Sequence, residues 1–225
     1  MTPPHVGLPA PADGSAPAYF GVYPALVTAL VDPDRLGRVE VRFPWLGTDG
    51  DRDVRAWATL CSPYADNRQG LQILPEVGSQ VVVAFEAGNL RRPYIVGAAW
   101  NGRSSLPAAA TRANNLRVLR SRSNSRLEFD DSAQPKVRIT TDSGHQVVLD
   151  TATNEVTIRH SAGCTVKLTA TAVEIKANVA LDITAAKVNV TAPVATFSGI
   201  VKCAMLAADA LVTSPAYTPG AGNIL

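Results

Sequence analysis

Residues 165–198 read TVKLTATAVEIKANVALDITAAKVNVTAPVATFS, a stretch in which apolar and polar residues alternate almost throughout. A period of two over β-branched residues predicts half-buried strands. A hairpin between two strands usually needs turn residues that accept a positive φ, such as Asn-Gly or Asp-Gly. The stretch contains no glycine and a single proline, Pro193. We therefore expect the chain not to reverse here, so that each strand must find its partner elsewhere.

The apolar residues of this stretch come in pairs about seven to eight positions apart, the spacing of a short strand followed by a bend. The pairs are Val166 and Leu168, Val173 and Ile175, Leu181 and Ile183, and Val188 and Val190. In an isolated chain such strands would expose rows of unpaired backbone N–H and C=O groups, which are costly to bury and promote aggregation. The sequence therefore predicts an obligate oligomer, with a single-chain parallel β-solenoid as the alternative.

Composition and charge exclude several classes. The chain has 225 residues and a formal net charge of +2, which indicates no particular polyanionic partner. No stretch reaches the ~18 apolar residues that span a bilayer. The N-terminus has neither the basic nor the apolar region of a secretory signal, so we expect synthesis in the cytoplasm without a signal peptide. The three cysteines, Cys61, Cys164 and Cys203, form no CxxC pair and are expected to be small buried hydrophobes.

Residues 20–103 predict a compact β domain with a longer excursion at residues 65–78. Its strand-like runs are GVYPALVTALVD (21–32), GRVEVRFPWLG (37–47), RAWATLCSPY (55–64), SQVVVAFEAG (79–88) and RRPYIVGAAWNG (91–102). In the second run Arg38, Glu40 and Arg42 alternate with apolar residues, as in a strand with one buried face. Five such strands predict a small closed barrel of the OB type.

The same segment resembles the OB-fold domain of contractile-tail spike proteins. The resemblance rests on an ordered set of landmarks over roughly 80 residues: GRV-x-V-x-FPW, W-x-x-L, G-x-x-x-LPEVG, VVV-x-F, RRPY-IVG and a closing WNGR. This family comprises the baseplate assembly spikes of contractile phages, the valine-glycine repeat (VgrG-like) spikes of type VI secretion, and the spikes of extracellular contractile injection systems. One such motif alone would be weak, whereas the ordered set is specific.

The resemblance implies an all-β chain in which the OB-fold barrel precedes an intertwined trimeric β-helix or β-prism needle. The eight residues of the apolar pairs would then form the trimer core around the threefold axis. Many members carry a Val-x-Gly octad, and this chain departs from that pattern with VKL, VEI, LDI and VNV. The predicted domains are a flexible N-terminal arm (1–18), the OB-fold domain (19–103), a linker (104–126), the trimeric β-prism (127–212) and a tip-binding segment (213–225).

The function implied by the resemblance is that of the structural central spike of a contractile injection machine. Such a trimer would puncture a membrane and link the tube or hub to a PAAR-like tip protein. Its expected partners are two further copies of itself, baseplate hub and tube proteins, the tip protein, effector cargo and, transiently, the target membrane. The OB domain would attach to the hub or the first tube ring through loops such as 47–53 and 65–72. It would belong to a phage tail-like particle, either a virion baseplate or an extracellular injection particle.

The last residues differ in character from the rest of the second half. Strand periodicity stops near Val212, and Pro215, Pro219, Gly220 and Gly222 follow within ten residues. Because proline cannot donate to a β ladder, we expect the prism to end about here. In a trimer the apolar chain ends would meet as an exposed platform, and such patches usually mark binding surfaces. We expect this segment to bind the tip protein; the alternative is that it folds back along the prism and seals its end. The tip-binding residues would be Pro215, Tyr217, Pro219, Ile224 and Leu225.

The sequence offers little for catalysis or cofactor binding. His5, His145 and His160 form no HxH or HxxxH pattern, so no metal site is expected, and the histidine-based tip metal of some phage spikes has no counterpart after His160. The acidic clusters at 49–53 and 130–131 lie beside turn residues, and no nucleophile elbow or P-loop occurs. We therefore expect no cofactor and no enzymatic activity.

Two rival functions belong to other classes. A trimeric β-fibre or adhesin would explain the strand pattern but not the OB landmarks. A nucleic-acid-binding OB fold needs exposed aromatic residues on a basic groove. The OB segment has no lysine, and its aromatic residues match core positions better than a stacking platform: Trp45, Trp57, Phe85 and Trp100.

Overall fold

The computed structural model describes residues 18–49, 52–210 and 212–213, and its regular structure consists of β-strands and two short 3-10 turns, Pro44–Leu46 and Glu86–Gly88. The chain divides into two units, Met1–Asn178 and Val179–Leu225. The strands are β1 (Val22–Ala29), β2 (Val39–Arg42), β3 (Thr48–Asp49), β4 (Arg52–Asp53), β5 (Arg55–Leu60), β6 (Ala65–Asp66), β7 (Gln69–Gly70), β8 (Gln80–Phe85), β9 (Pro93–Ala98), β10 (Leu116–Arg120), β11 (Arg126–Asp130), β12 (Lys136–Thr140), β13 (Gln146–Asp150), β14 (Glu155–Arg159), β15 (Thr165–Leu168) and β16 (Val173–Lys176).

Five strands close the barrel that the sequence predicts. Their order is β1-β2-β5-β9-β8, with β8 pairing back onto β1, and only the β5–β9 contact is parallel. Every second residue of the barrel strands faces inward, and these residues form the core together with Phe43 after β2. The core comprises Ala25, Val27, Val39, Val41, Phe43, Ala58, Val81, Val83, Phe85 and Ile95. The all-β fold class with an N-terminal OB-type barrel is thus confirmed.

One end of the barrel is closed by aromatic rings. Tyr23 stacks on Trp45 with ring centroids 4.7 Å apart, and Phe43 and Phe85 pack beneath them at 5.5 Å from each other. The Trp45 indole N–H donates to the carbonyl of Pro24 at 3.0 Å. These rings cover one another, so their faces are not free to stack on bases.

The loop between β1 and β2 folds around the buried carboxylate of Asp32. This carboxylate accepts backbone N–H groups from Asp34, Leu36 and Arg38, and the Arg38 guanidinium binds it at 2.8 and 2.9 Å. The guanidinium and these N–H donors hold the pKa of Asp32 well below its usual range, against the opposing effect of burial. The sequence DPDRLGR therefore builds a fixed turn rather than a flexible loop.

The strands β10 to β16 form a seven-stranded antiparallel sheet in which each strand pairs with the next along the chain. Three of its turns are built alike, because the first residue's N–H donates to the last residue's carbonyl and the fourth residue has a positive φ. The turns are Ser121–Ser125, Thr141–His145 and His160–Cys164, with Asn124, Gly144 and Gly163 in the fourth position.

The expectation that the chain does not reverse after Thr165 is wrong for its first two strands. β15 and β16 form a hairpin in which Val166 faces Ile175 and Leu168 faces Val173. Its turn needs no glycine because the Thr169 hydroxyl accepts the N–H groups of Thr171 and Ala172, at 3.3 and 3.0 Å.

After Lys176 the chain changes character. The described residues from 177 to 210 form no strand, and their side chains are exposed at every position. Val179 and Ile200 are each 98% exposed. The described residues of the second unit therefore keep the alternation of apolar and polar side chains, but their backbone pairs with no strand of the same chain. No helix among the described residues is long and apolar enough to cross a membrane.

Candidate functional site: an uncovered apolar sheet face

One face of the seven-stranded sheet is almost entirely apolar. The registers place apolar residues opposite one another on successive strands, as in Leu127 with Ile139 and Leu149 with Val156. Arg117, at the β10 edge, is the exception. We call this surface the apolar face; it comprises Leu119, Leu127, Phe129, Val137, Ile139, Val147, Leu149, Val156, Ile158, Val166, Leu168, Val173 and Ile175.

The apolar face is open even at the middle of the sheet. Ile139 on β12 and Leu149 on β13 are 48% and 47% exposed, although both strands have neighbours on each side. Contiguous apolar surface of this kind is rare on a monomer and marks an interaction surface. Taking a fully exposed side chain of this kind to complete burial contributes roughly 1.5–3 kcal/mol, so covering these half-exposed side chains contributes about half of that each.

The opposite face of the sheet carries charged side chains in cross-strand ion pairs. Glu128 lies 3.5 Å from the guanidinium of Arg138, and Lys167 lies 2.8 Å from Glu155. Glu155 raises the pKa of the Lys167 amino group through this contact. The two faces of one sheet thus differ sharply, which suits a sheet with one side toward solvent and the other toward a partner.

The structure brings together only part of the predicted trimer core. Val166, Leu168, Val173 and Ile175 lie on the apolar face. The remaining four residues lie in the second unit: Leu181, Ile183, Val188 and Val190. The prediction that these eight residues meet on a threefold axis stays a prediction.

The sequence interpretation missed the apolar face of β11 to β14 as one surface. The alternation of Phe129, Ile139, Leu149 and Ile158 carries the same signal as the pairs after Thr165. Only the cross-strand register shows that these residues share a face with the later ones.

A second apolar surface lies on the outside of the barrel. On the outer side of β1, β8 and β9, Val22, Ala84 and Tyr94 follow one another across the strands. We call this surface the barrel patch; it comprises Val22, Pro24, Leu26, Val82, Ala84, Tyr94 and Val96. The outside of β2 and β5 instead carries charged residues such as Glu40 and Arg55.

The barrel patch was also not predicted, although the sequence contained its signal. Residues 81–85 read VVVAF, which is apolar at every position rather than at every second one. A strand with that pattern is typically covered on both faces. Here the inner face is buried, while Val96 on the neighbouring strand is 50% exposed.

Several predicted residues lie outside the described part of the chain. This holds for the tip-binding residues Pro215, Tyr217, Pro219, Ile224 and Leu225, for the arm up to residue 17, and for residues 50–51 of the predicted hub-binding loop 47–53. The other predicted hub-binding loop, 65–72, contains the exposed β6–β7 hairpin.

Two expectations about individual side chains are corrected by the structure. Cys61 and Cys203 are exposed and Cys164 is half-buried, because none of them lies at an inward position of the barrel. Trp100 is 63% exposed, since it follows β9 and lies beyond the barrel core. Trp57 is half-buried on the outer side of β5, with the Arg38 guanidinium 6.0 Å from its ring centroid.

The described residues contain no group of three His, Cys, Asp or Glu side chains placed to hold a metal ion. His145 and His160, which the sequence pattern left unconnected, contact each other with ring centroids 4.3 Å apart. This contact follows from the β13–β14 register, in which Gln146 lies opposite Arg159.

Comparison with known proteins agrees with this architecture. Residues 23–100 match the family described as "Type VI secretion system/phage-baseplate injector OB domain". The chain is 28% identical over 106 residues to the type VI secretion system spike protein VgrG3 of Vibrio cholerae, a match covering 44% of this chain and 10% of that protein. It is 31% identical over 111 residues to the spike protein VgrG4b of Pseudomonas aeruginosa, covering 47% of this chain and 14% of that protein.

A further match, 26% identical over 106 residues, is to the actin cross-linking toxin VgrG1 of Vibrio cholerae, of which 10% is covered. The chain therefore spans about a tenth to a seventh of the length of these relatives. The barrel, residues 23–100, is an OB domain of the phage-baseplate and type VI spike family.

Proposed function

We propose that this chain is the structural central spike of a contractile injection machine, a homotrimeric needle that punctures a membrane. The barrel would form a collar that attaches to the hub or tube, and the second half of the chain would form the needle. The observation that carries the proposal is the apolar face of the β10–β16 sheet, which comes after an OB domain of the spike family along the chain. A surface of that size needs a partner, and identical chains can supply it.

Three copies account for more of the chain than two do. In a dimer, two apolar faces could pack as a sandwich about 10 Å apart, but residues 179–210 would remain without backbone partners. Three chains can turn their apolar faces toward a common axis and then continue as intertwined strands. That arrangement places the ion-paired face with Glu128 and Lys167 toward solvent and leaves no sheet edge open.

The proposed mechanism is mechanical and needs no catalysis. Contraction of a sheath would drive a stiff prism whose rigidity comes from inter-chain ladders and a dry Val/Ile/Leu interior. A PAAR-like tip protein, with or without effector cargo, would sit at the distal end on residues 213–225. The chain would then belong to a phage tail-like particle. The fibre and nucleic-acid alternatives lack a supporting observation, because the fibre leaves the OB domain unexplained and the barrel aromatics pack on one another.

Sedimentation velocity of the full chain tests the proposal directly. We expect a single species with the mass of three chains that persists on dilution into the nanomolar range, because exposing the apolar face costs many times the thermal energy. A folded and stable monomer would contradict the proposal.

The barrel patch supports attachment of the collar to a hub or tube protein, together with the loops 47–53 and 65–72. We expect Val96→Asp to weaken co-purification of that partner by at least about tenfold, because a carboxylate would have to be buried against an apolar surface. Val31→Asp is the matched control, since Val31 is 86% exposed in the β1–β2 loop and lies outside the patch. Equal recovery of the partner by both variants, each still trimeric, would rule out the patch as its binding surface.

A further inference from the structure

The face of the sheet opposite the apolar face carries a row of basic and polar side chains at one end of its strands. The registers place one residue of each strand, from β10 to β16, in this row. Arg126, for example, lies opposite Arg120 on one side and Thr140 on the other. We call this surface the basic row; its four cations and three polar residues are, in strand order, Arg120, Arg126, Thr140, Gln146, Arg159, Thr165 and Lys176.

The opposite end of the same face is acidic. The row of residues that crosses the sheet there carries one cation, Lys136, which lies 3.6 Å from Asp150. The other carboxylates of that row are Asp130 and Glu155. The two rows lie about 13 Å apart, the length of four residues of strand. Since this exceeds the Debye length of ~8 Å at physiological salt, the acidic end does not compensate the basic row.

Two of the four cations in the basic row have no carboxylate partner. Among the residues that the structure describes, Arg120 and Arg159 form no ion pair, and Arg120 donates only to the carbonyl of Pro107, at 3.4 Å. The other two cations, Arg126 and Lys176, each contact a glutamate of the adjoining row, at 3.5 and 3.6 Å. The basic row therefore carries uncompensated positive charge.

Arg120 and Arg126 form an unfavourable pair within the basic row. They lie directly opposite each other on β10 and β11, where the Cβ atoms of facing residues are about 5 Å apart and like charges destabilise the sheet. An anion bound beside both guanidiniums would turn this repulsion into attraction. The planar fork of a guanidinium suits the oxygens of a carboxylate or a phosphate. The pair therefore favours an anionic ligand.

The basic row lies at the end of the sheet that contacts the loop before β8. Arg120 is followed directly by the turn Ser121–Ser125, and Arg122 in that turn lies 3.2 Å from Glu76. A ligand of the basic row would therefore bind beside the junction of the barrel and the sheet.

The composition of the row favours an acidic protein segment over other polyanions. No aromatic side chain lies in the row to stack on bases, and no apolar side chain lies in it to enter a membrane. The half-buried Gln146 and Thr165 instead provide hydrogen-bonding groups between the cations. The seven strands span about 29 Å, which matches about nine residues of extended chain.

We propose that the basic row binds an extended acidic segment of a partner protein through charge-assisted hydrogen bonds to Arg120, Arg126 and Arg159. The surface depends on the sheet alone, so the inference does not rest on the proposed spike function. In the proposed trimer this face points to solvent, and each needle would present three such rows.

Fluorescence anisotropy of the full chain tests the proposal with a labelled peptide of alternating glutamate and serine, about ten residues long. At about 50 mM salt we expect it to bind at least about fivefold more tightly than the matching peptide of glutamine and serine. The double variant Arg120→Gln/Arg159→Gln should lose at least about fivefold in affinity for the acidic peptide. Arg91→Gln/Arg112→Gln, with the same change in net charge at exposed positions outside the row, should bind as the wild type does.

Thermal unfolding separates binding from a structural role. Arg120→Gln should not lower the melting temperature, because it removes a positive charge that faces Arg126. A clear decrease would mean that Arg120 serves the fold and would overturn its role in binding. If the double variant fails to fold, Arg159→Gln alone, compared with Arg112→Gln, should still lose about twofold in affinity.

Two results of the binding experiment overturn the proposal. One is equal affinity of the wild type for the acidic and the glutamine peptide, and the other is an equal loss in the row variant and the control variant. A thymidine oligonucleotide of similar length and vesicles containing phosphatidylserine serve as competing probes. If either binds more tightly than the acidic peptide and depends on the same arginines, the partner is not an acidic protein segment.

Discussion

Leu149→Asp is expected to abolish the trimer, whereas Val148→Asp, one residue away, is expected to leave it intact. Leu149 lies at the middle of the apolar face, opposite Val137 and Val156 on the two neighbouring strands. Val148 lies on the other face, opposite Arg138, where a new carboxylate gains a cation. The two variants introduce the same side chain into the same strand and differ only in the face that receives it.

The expected effect of Leu149→Asp on the stability of the trimer is large because three carboxylates would approach one another away from water. Burying an unpaired charge costs several kcal/mol, and like charges add to this cost. We expect the trimer to weaken by more than about 100-fold, which is roughly 2.7 kcal/mol. Sedimentation velocity measures the trimer, and circular dichroism checks that the barrel remains folded.

A Leu149→Asp protein that remains a trimer of unchanged stability would show that the apolar face is not the interface. If this variant fails to fold, Val173→Asp provides the same test at the sheet edge. Val173 is 68% exposed in the single chain, so its replacement has little effect on the fold of the sheet while still placing a carboxylate on the apolar face.

The barrel could be predicted from the sequence because its determinants are local. In β2 the alternation of Val39 and Val41 with Glu40 and Arg42 defines both faces without reference to any other strand. Pro93 begins β9, where a proline does not interrupt a ladder, as the sequence suggests. The order of landmarks then identifies the OB domain, which the family match over residues 23–100 confirms.

Other features could not be predicted because they depend on register or on an unusual turn. The β15–β16 hairpin was missed because Thr169 makes its turn with a hydroxyl rather than with a positive-φ residue. β10 lies within the stretch predicted as a linker, since only Leu116, Arg117 and Val118 alternate before Leu119 follows Val118 directly. The contact between His145 and His160 spans two strands and follows only from their pairing.

In the assembled protein, backbone amides of residues 179–210 are expected to be protected from hydrogen exchange by more than about 1000-fold. In the single chain residues 179–210 form no strand and their side chains are exposed at every position, so nothing within the segment would slow exchange. Protection would therefore have to come from the other chains. Leu181 with Ile183, and Val188 with Val190, give two short extended stretches an apolar side each, and a bend between the stretches would bring both sides to the same face.

Ile183→Asp should remove this protection around its own position, because three carboxylates would meet where the apolar side chains pack. Thr184→Asp is the matched control, since the next residue of an extended chain points to the other side. Exchange at unprotected rates throughout 179–210 in an intact trimer would contradict the intertwined needle. The trimer would then be held by the sheet alone, and the apolar alternation after Lys176 would need another partner. Protection that is equal in the wild type and both variants would place the apolar side of this segment away from the axis.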